Sequence, residues 1–438
     1  MRLIFALALM VIPCALGAQE SFWPIPAEAQ GLQAGTDSYP TLLAELEGCE
    51  SSSDTDLDCL FLVDRAAVIA DQTGRSEESL RFRFRAAEIA YLLAPDSRHY
   101  VWQANTSRSL ARALILRGRQ PEAIPLLENA VRVRKLIASK SAEPVSTDAI
   151  FMAGTLLELA SASEYSGRLG KVEDYLLEAY DLLQLIGEDS SRLAIEIQVA
   201  IGKFFLATGR SGAAHSYLQN ALAWYVDRKM PDHKDTAQIR ELLGDLGMLN
   251  GDYAKAEALY NKAFSIAHGN LPRARSERMA AMAMQGWLSL KLGEAQLALG
   301  DAFGARHNFN KGLGLASENT PDNHRLLTAL HLRLAAASAK LGMVENQRRH
   351  LELGWARSRN LGDIGDSEKI RADAALAIAL QREGEDYDRA RSLFLGAMTG
   401  IETRLDRATE FDAAAQKDLD SYRDIFQGLV QTSWQLSQ

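Results

Sequence analysis

The chain has 438 residues, 47% hydrophobic and 24% charged, with 48 basic against 57 acidic side chains and a net charge of −9. This is the composition of a globular chain long enough for one large or two medium domains. It lacks low-complexity runs, and its acidic balance sets aside a nucleic-acid binder, which needs a clustered basic surface. Ala, Leu, Glu and Arg are abundant and strand-like alternation is rare, so helix is expected throughout.

Residues 1–18 read as a secretory signal. Arg2 is followed by an apolar run from Leu3 to Ile12 and then small residues, with Gly17 or Ala18 as the last residue before cleavage. The run is too short to span a bilayer, and no other segment is a transmembrane candidate. Cys14 raises a lipoprotein alternative, disfavoured because Pro13 precedes it where a small residue is required. The expected location is the bacterial periplasm or cell surface.

Residues 19–55 form an acidic leader with a short helix. Residues 20–59 hold nine acids and no Lys or Arg, whereas residues 60–140 hold fourteen basic and eight acidic residues. Two readings stand: an acidic arm docked on the basic part, able to occupy its groove until displaced, or a solvated leader. Cys49 and Cys59 bracket a polar loop and are expected to pair in an oxidising compartment, stabilising the fold by about 2–3 kcal/mol on a chain-entropy view. The alternatives are two unpaired thiols or, less favoured because no further Cys or His lies nearby, a zinc site.

From residue 56 to 404 the chain repeats. Around Gly251 stand Gly244 seven residues earlier, Ala256 five later and Ala263 twelve later. The same offsets from Gly118 give Ala111, Ala123 and Ala130; from Gly209, Gly202, Ala214 and Ala221; from Gly300, Gly293, Ala305 and Gly312. Gly74, Gly167 and Gly342 give further copies, and an eighth fits when counted from Glu385, with Ile378, Ala390 and Ala397. Small residues at fixed offsets let two antiparallel helices approach closely, and the glycine ends the first helix in the left-handed region. Leu127, Leu176, Leu218, Tyr260, Phe309, Leu351 and Phe394 occupy equivalent places as core knobs on the second helices. One hairpin cannot bury its apolar face alone, so neighbours must stack.

The stretch "LLGDLGMLNGDYAKAEALYNKAF" resembles the tetratricopeptide repeat, and the spacing near 42 residues resembles the longer variety found in kinesin light chains and many bacterial proteins. The resemblance implies an all-α, right-handed α-α superhelix of about eight hairpins whose first helices line a concave, protein-binding face. Asn105, Arg108, Arg112, Lys203 and Trp287 are the residues expected on that face, with the cations receiving an acidic extended or helical segment of a partner protein. The pattern by which family members grip a C-terminal carboxylate is not reproduced, since Asp64, Val68 and Val199 stand at its places. "RFRFR" at 81–85 alternates like a strand, but the repeat frame puts it on a second helix. The stretches 138–148 and 268–278 read as enlarged links. His233 and His324 lie at equivalent helix starts, suited to capping.

Residues 405–438 lack the frame. Phe411, Tyr422, Ile425, Phe426, Leu429 and Val430 fit a closing helix over the last hairpin. This tail is similar to the segment joining such repeats to the caspase-like CHAT domain of bacterial proteins, which implies a recognition half of a split protease as the alternative function. A glycan-binding envelope role is a further alternative, with Trp287 as its first suspect. Nucleophile elbow, zinc-protease, dinucleotide and phosphate-loop motifs are all missing from the sequence. The reading is therefore a non-catalytic interaction scaffold with no cofactor and no metal, its oligomeric state unread.

Overall fold

A computed structural model describes residues 42–44, 46, 57–93, 99–139, 146–166, 168–272, 275–384, 386–406 and 422–438. The signal segment, most of the leader, Cys49, Gly167 and Phe411 lie outside them. The chain divides into two compact units, Ile12–Ile201 and Gly202–Gln438, with the boundary inside one helix.

The described part of the first unit is built from hairpins. They are α1 (Leu57–Gln72) with α2 (Ser76–Leu93), α3 (Tyr100–Leu116) with α4 (Gln120–Ala138), and α5 (Ser146–Tyr165) with α6 (Val172–Leu185). α7 (Arg192–Ala207) begins in this unit and ends in the next. The alternating "RFRFR" is helical, within α2. Leu42 and Leu46 of the leader are buried in the same apolar cluster as Leu60, Val63 and Ile89. Cys59 is buried there too, while its expected partner Cys49 is outside the described residues.

The second unit continues the pattern. After α8 (Ser211–Asp227) come α9 (Lys234–Asn250) with α10 (Tyr253–Gly269), α11 (Arg275–Ala298) with α12 (Ala302–Asn319), α13 (His324–Lys340) with α14 (Val344–Ser358), and α15 (Ser367–Glu383) with α16 (Tyr387–Asp406). α17 (Arg423–Leu436) closes the stack against α15 and α16. The stretch 268–278 is not an enlarged link. α10 runs to Gly269 and α11 begins at Arg275, because "RSERMAAMAM" consists of good helix formers.

The small residues sit where the sequence frame places them. Ala111, Ala123, Ala130, Ala214, Ala221, Ala256, Ala263 and Ala305 are fully buried. At the crossing of α9 and α10, a methyl group on Gly244 would meet the Tyr260 ring at 2.5 Å; at that of α11 and α12, one on Gly293 would meet the Phe309 ring at 2.4 Å. Gly202 faces Leu218 in the same way, at 2.7 Å. Direct backbone-to-side-chain contact is what the missing Cβ allows. Gly251 and Gly300 close their hairpins at φ 79° and 89°, a region in which a side chain is strained.

The eighth hairpin differs from the frame counted on Glu385. The left-handed residue is Gly384, at φ 70°, and Asp386 also has a positive φ, so this turn is one residue longer. Counted from Gly384, the small position on the first helix is Ala377 rather than Ile378, and Ala377 is buried in one cluster with Phe394. The Phe394 ring also meets the closing helix, where a methyl group on Gly428 would lie 2.3 Å from it.

Of the two histidines expected at helix starts, His233 caps its helix and His324 does not. His233 caps α9, its Nδ1 accepting from the Asp235 amide at 3.3 Å. At α13 the cap is Asn323, whose side chain accepts from the Leu326 amide, and His324 is the first helical residue. A third, His331 of α13, faces His350 of α14 with 3.1 Å between their Nδ1 atoms. Such a bond needs one neutral ring as acceptor. Burial, then His350, Arg357 and Arg349, push His331 down to about 4, and burial with Arg349 and Arg306 lowers His350. The unfolded chain therefore binds more protons than the folded one between pH 6.5 and 4, and stability falls as pH drops through that window. About 2 kcal/mol is expected to be lost by pH 5 from His331 alone. Urea midpoints at pH 7 and pH 5 check this, and His331→Gln should flatten the difference.

Candidate partner-binding face

Within each unit successive first helices touch directly: α3 with α5, α11 with α13, and α13 with α15. The sequence places the partner on the side of these helices where charged residues pair from one first helix to the next.

In the first unit the strip is a network of ion pairs. Arg108 of α3 donates to Glu158 of α5 through Nε at 3.1 Å and Nη2 at 2.8 Å, a two-point contact. Arg112, one turn on, sets its Nε 3.5 Å from the same carboxylate. The Phe151 ring lies between two guanidiniums, those of Arg108 at 4.9 Å and Arg134 at 4.3 Å from its centroid. Arg134 in turn pairs with Asp148 and donates to Asn105 Oδ1 at 2.7 Å. A methyl group on Gly154 would stand 2.7 Å from Arg108 Nη2, so an alanine there would displace the guanidinium.

Two consequences follow for the expected basic groove. Asn105 and Arg108 are on the face but are held by intramolecular partners. Arg112 shares Glu158 with Arg108, so two positive groups meet one carboxylate and the cluster is net positive. Burial pushes the Arg112 guanidinium down, with Glu158 opposing and the Arg108 and Arg83 cations adding to the effect. Nearby, burial raises the Asp64 carboxyl against the pull of Arg83. An additional carboxylate beside Arg112 would relieve this repulsion.

In the second unit Lys203 and Trp287 are corrections to the sequence reading. Lys203 is only 6% exposed and its side chain is engaged within the fold. Trp287 is 7% exposed and packed in a core cluster with Leu290, Phe309 and Leu330. Its large indole fills the space between α11 and its neighbours instead of meeting solvent, which also removes it as a glycan platform. The strip here is another set of ion pairs. Lys291 of α11 reaches back to Glu241 at 2.6 Å and Asp245 at 2.7 Å on α9, and Tyr260 donates to Asp245 at 2.7 Å. Burial pushes Lys291 down, but the two carboxylates outweigh it and hold the ammonium above the ordinary lysine range. Asp245 is raised, by burial first and by Glu241 as well, with Lys291 opposing. Arg333 of α13 pairs with Glu294 of α11 in the same manner.

The sequence reading missed Glu158, Phe151, Arg134 and the Lys291 clamp. The pairings of Arg108 with Glu158 and of Lys291 with Glu241 and Asp245 join residues about one repeat apart, so the repeat length was the signal for them, whereas Arg134 meets Asp148 across the link between α4 and α5. Among the described residues, no group of three or more His, Cys, Asp or Glu is placed to hold a metal ion.

No protein-family model matches the sequence, and no curated protein matches it. Solved structures match in fold. The apo form of RapI is 11% identical over 86% of this chain and 98% of that chain, at a TM-score of 0.56. The apo form of the quorum sensor NprR from B. thuringiensis is 13% identical over 83% and 93%, at 0.55. The signal-transduction ATPase with a tetratricopeptide repeat sensor, PH0952 from Pyrococcus horikoshii, is 16% identical over 85% of this chain and 54% of that chain, at 0.51. The chain thus has the all-α fold of stacked tetratricopeptide-type hairpins.

Proposed function

We propose that the protein is an exported, non-catalytic scaffold that binds a segment of another protein along the first-helix face. The observation that carries this reading is the net-positive cluster of Arg108 and Arg112 about one Glu158, beside the Phe151 ring. It offers an acidic segment a charge to neutralise. The fold-level neighbours lend general support, since one is a quorum sensor and another contains a tetratricopeptide repeat sensor. Such analogy speaks to the class of function only. Export rests on the residue 1–18 signal pattern, and the Cys49–Cys59 pair would be oxidised in that compartment.

One experiment tests both parts. Expressed from its full sequence in a bacterial host, the protein is expected in the periplasm with Ala18 or Gln19 at its N-terminus. Retention of Arg2 in a cytoplasmic product would contradict export. The purified protein and its Arg112→Glu variant are then immobilised against envelope extract of the source organism. A stoichiometric partner held at least tenfold less tightly by the variant is expected, and equal retention by both would move the site off this face.

A further inference from the structure

The closing helix carries an apolar surface on the side facing away from the fold. Its inner side is accounted for: Ile425 and Thr432 are buried, and Gly428 lies on the Phe394 ring. The sequence reading put Phe426 and Val430 on that inner side, but they point outwards. Phe426, Val430 and Trp434, at four-residue intervals, are 37%, 71% and 62% exposed. With Gln427 and Gln431 they line a shallow apolar groove. A contiguous apolar ridge on a surface marks a contact site.

We infer that this ridge is the contact for a second copy of the chain, with the two helices antiparallel about a two-fold axis near Val430. The charge pattern selects this occupant. From Ile425 to Gln438 the sequence contains no charged residue, and the polar side chains are Gln, Ser and Thr. In a two-fold contact a residue near the axis meets its own copy, so a charge there would repel itself. A glutamine amide has both donor and acceptor and can pair with its own copy. The ridge is symmetric in size as well, because an antiparallel crossing at Val430 sets Phe426 of one copy against Trp434 of the other. Depletion of charge with enrichment of aromatic residues is the composition of an interface centre. A helix lying on a membrane surface carries Lys and Arg along its polar side, and this one has none after Arg423. An acidic or basic partner would likewise find no opposite charge.

The helix has 14 residues and is about 21 Å long, so the contact is small and its dissociation constant is expected on the order of 10 μM. Sedimentation equilibrium of the exported chain from about 1 to 100 μM should show a monomer–dimer equilibrium. Val430→Glu and Trp434→Glu should each weaken it at least tenfold with unchanged circular dichroism, since both side chains are largely exposed. Independently of charge, Val430→Cys should form a disulfide-linked dimer under mild oxidant, while Leu185→Cys, also exposed but in the other unit, should not. A monomer at every concentration overturns the inference, as does a dimer indifferent to both glutamates. A monomer that co-sediments with phosphatidylcholine vesicles would also overturn it and assign the ridge to a membrane.

Discussion

Phe309→Ala is expected to destabilise the second unit by about 3–5 kcal/mol, as truncation of a fully buried aromatic does. The ring lies on Gly293 with no room between them, so the loss combines the transfer of the ring with a cavity that two rigid backbones cannot close. The reverse error is also costly. Gly293→Ala places a methyl group against the ring and should cost about 1–3 kcal/mol by overpacking. Joined with Phe309→Leu, however, the same alanine should bring stability back to within about 1.5 kcal/mol of the parent. The chain itself uses that combination, with Ala111 and Leu127 at the matching positions of α3 and α4, both fully buried. Urea unfolding of Gly293→Ala, Phe309→Leu and the double variant measures the coupling. Additive losses would show that the glycine and the ring are not reciprocal partners.

Lys291→Met should cost about 3 kcal/mol or more, for a different reason. The ammonium is the counter-ion of both Glu241 and Asp245, and removing it leaves two carboxylates facing each other away from solvent. The variant's deficit relative to the parent should therefore shrink on acidification, because Asp245 is already raised by burial and Glu241 and would rise further without the cation. The sign follows from linkage: a carboxyl raised in the folded state binds protons that the unfolded chain releases, so stability increases as pH falls towards 5. Adding Glu241→Gln and Asp245→Asn to Lys291→Met should restore most of the loss at pH 7. Melting temperatures at pH 5 and 7 for the three proteins check this. A Lys291→Met loss that stays constant with pH would mean that packing of the lysine stem, not charge, holds α9 to α11.

The fold was legible in the sequence because its determinants are local and steric. A glycine at a turn and small residues at fixed offsets report the closest approach of two helices, and that approach tolerates few substitutes. Among the described residues the frame slipped after Gly384, where the next helix begins one residue late, and at 268–278, where helix propensity carried α11 through an apparent link. The binding face was much less legible. Position along the frame says which way a side chain points, but not whether a neighbour covers it. Arg112 and Lys203 occupy the same place in their repeats, yet the first is partly exposed and the second buried. Asn105 and Trp287 are matched in the same way, and the bulk of the indole puts it in the core. Charge pairing escaped for a related reason. Glu158 neutralises Arg108 from fifty residues away, a distance at which composition windows no longer associate the two.

The most direct test of the scaffold account is a site-specific photocrosslinking scan in the native organism. A photoreactive amino acid would replace Arg112 and Ser161 on first helices, and Arg132 on the outside of α4. The account predicts a single discrete adduct from the two first-helix positions and none from 132. An adduct from 132 alone, or none from either first-helix position in a protein that remains folded, would contradict it.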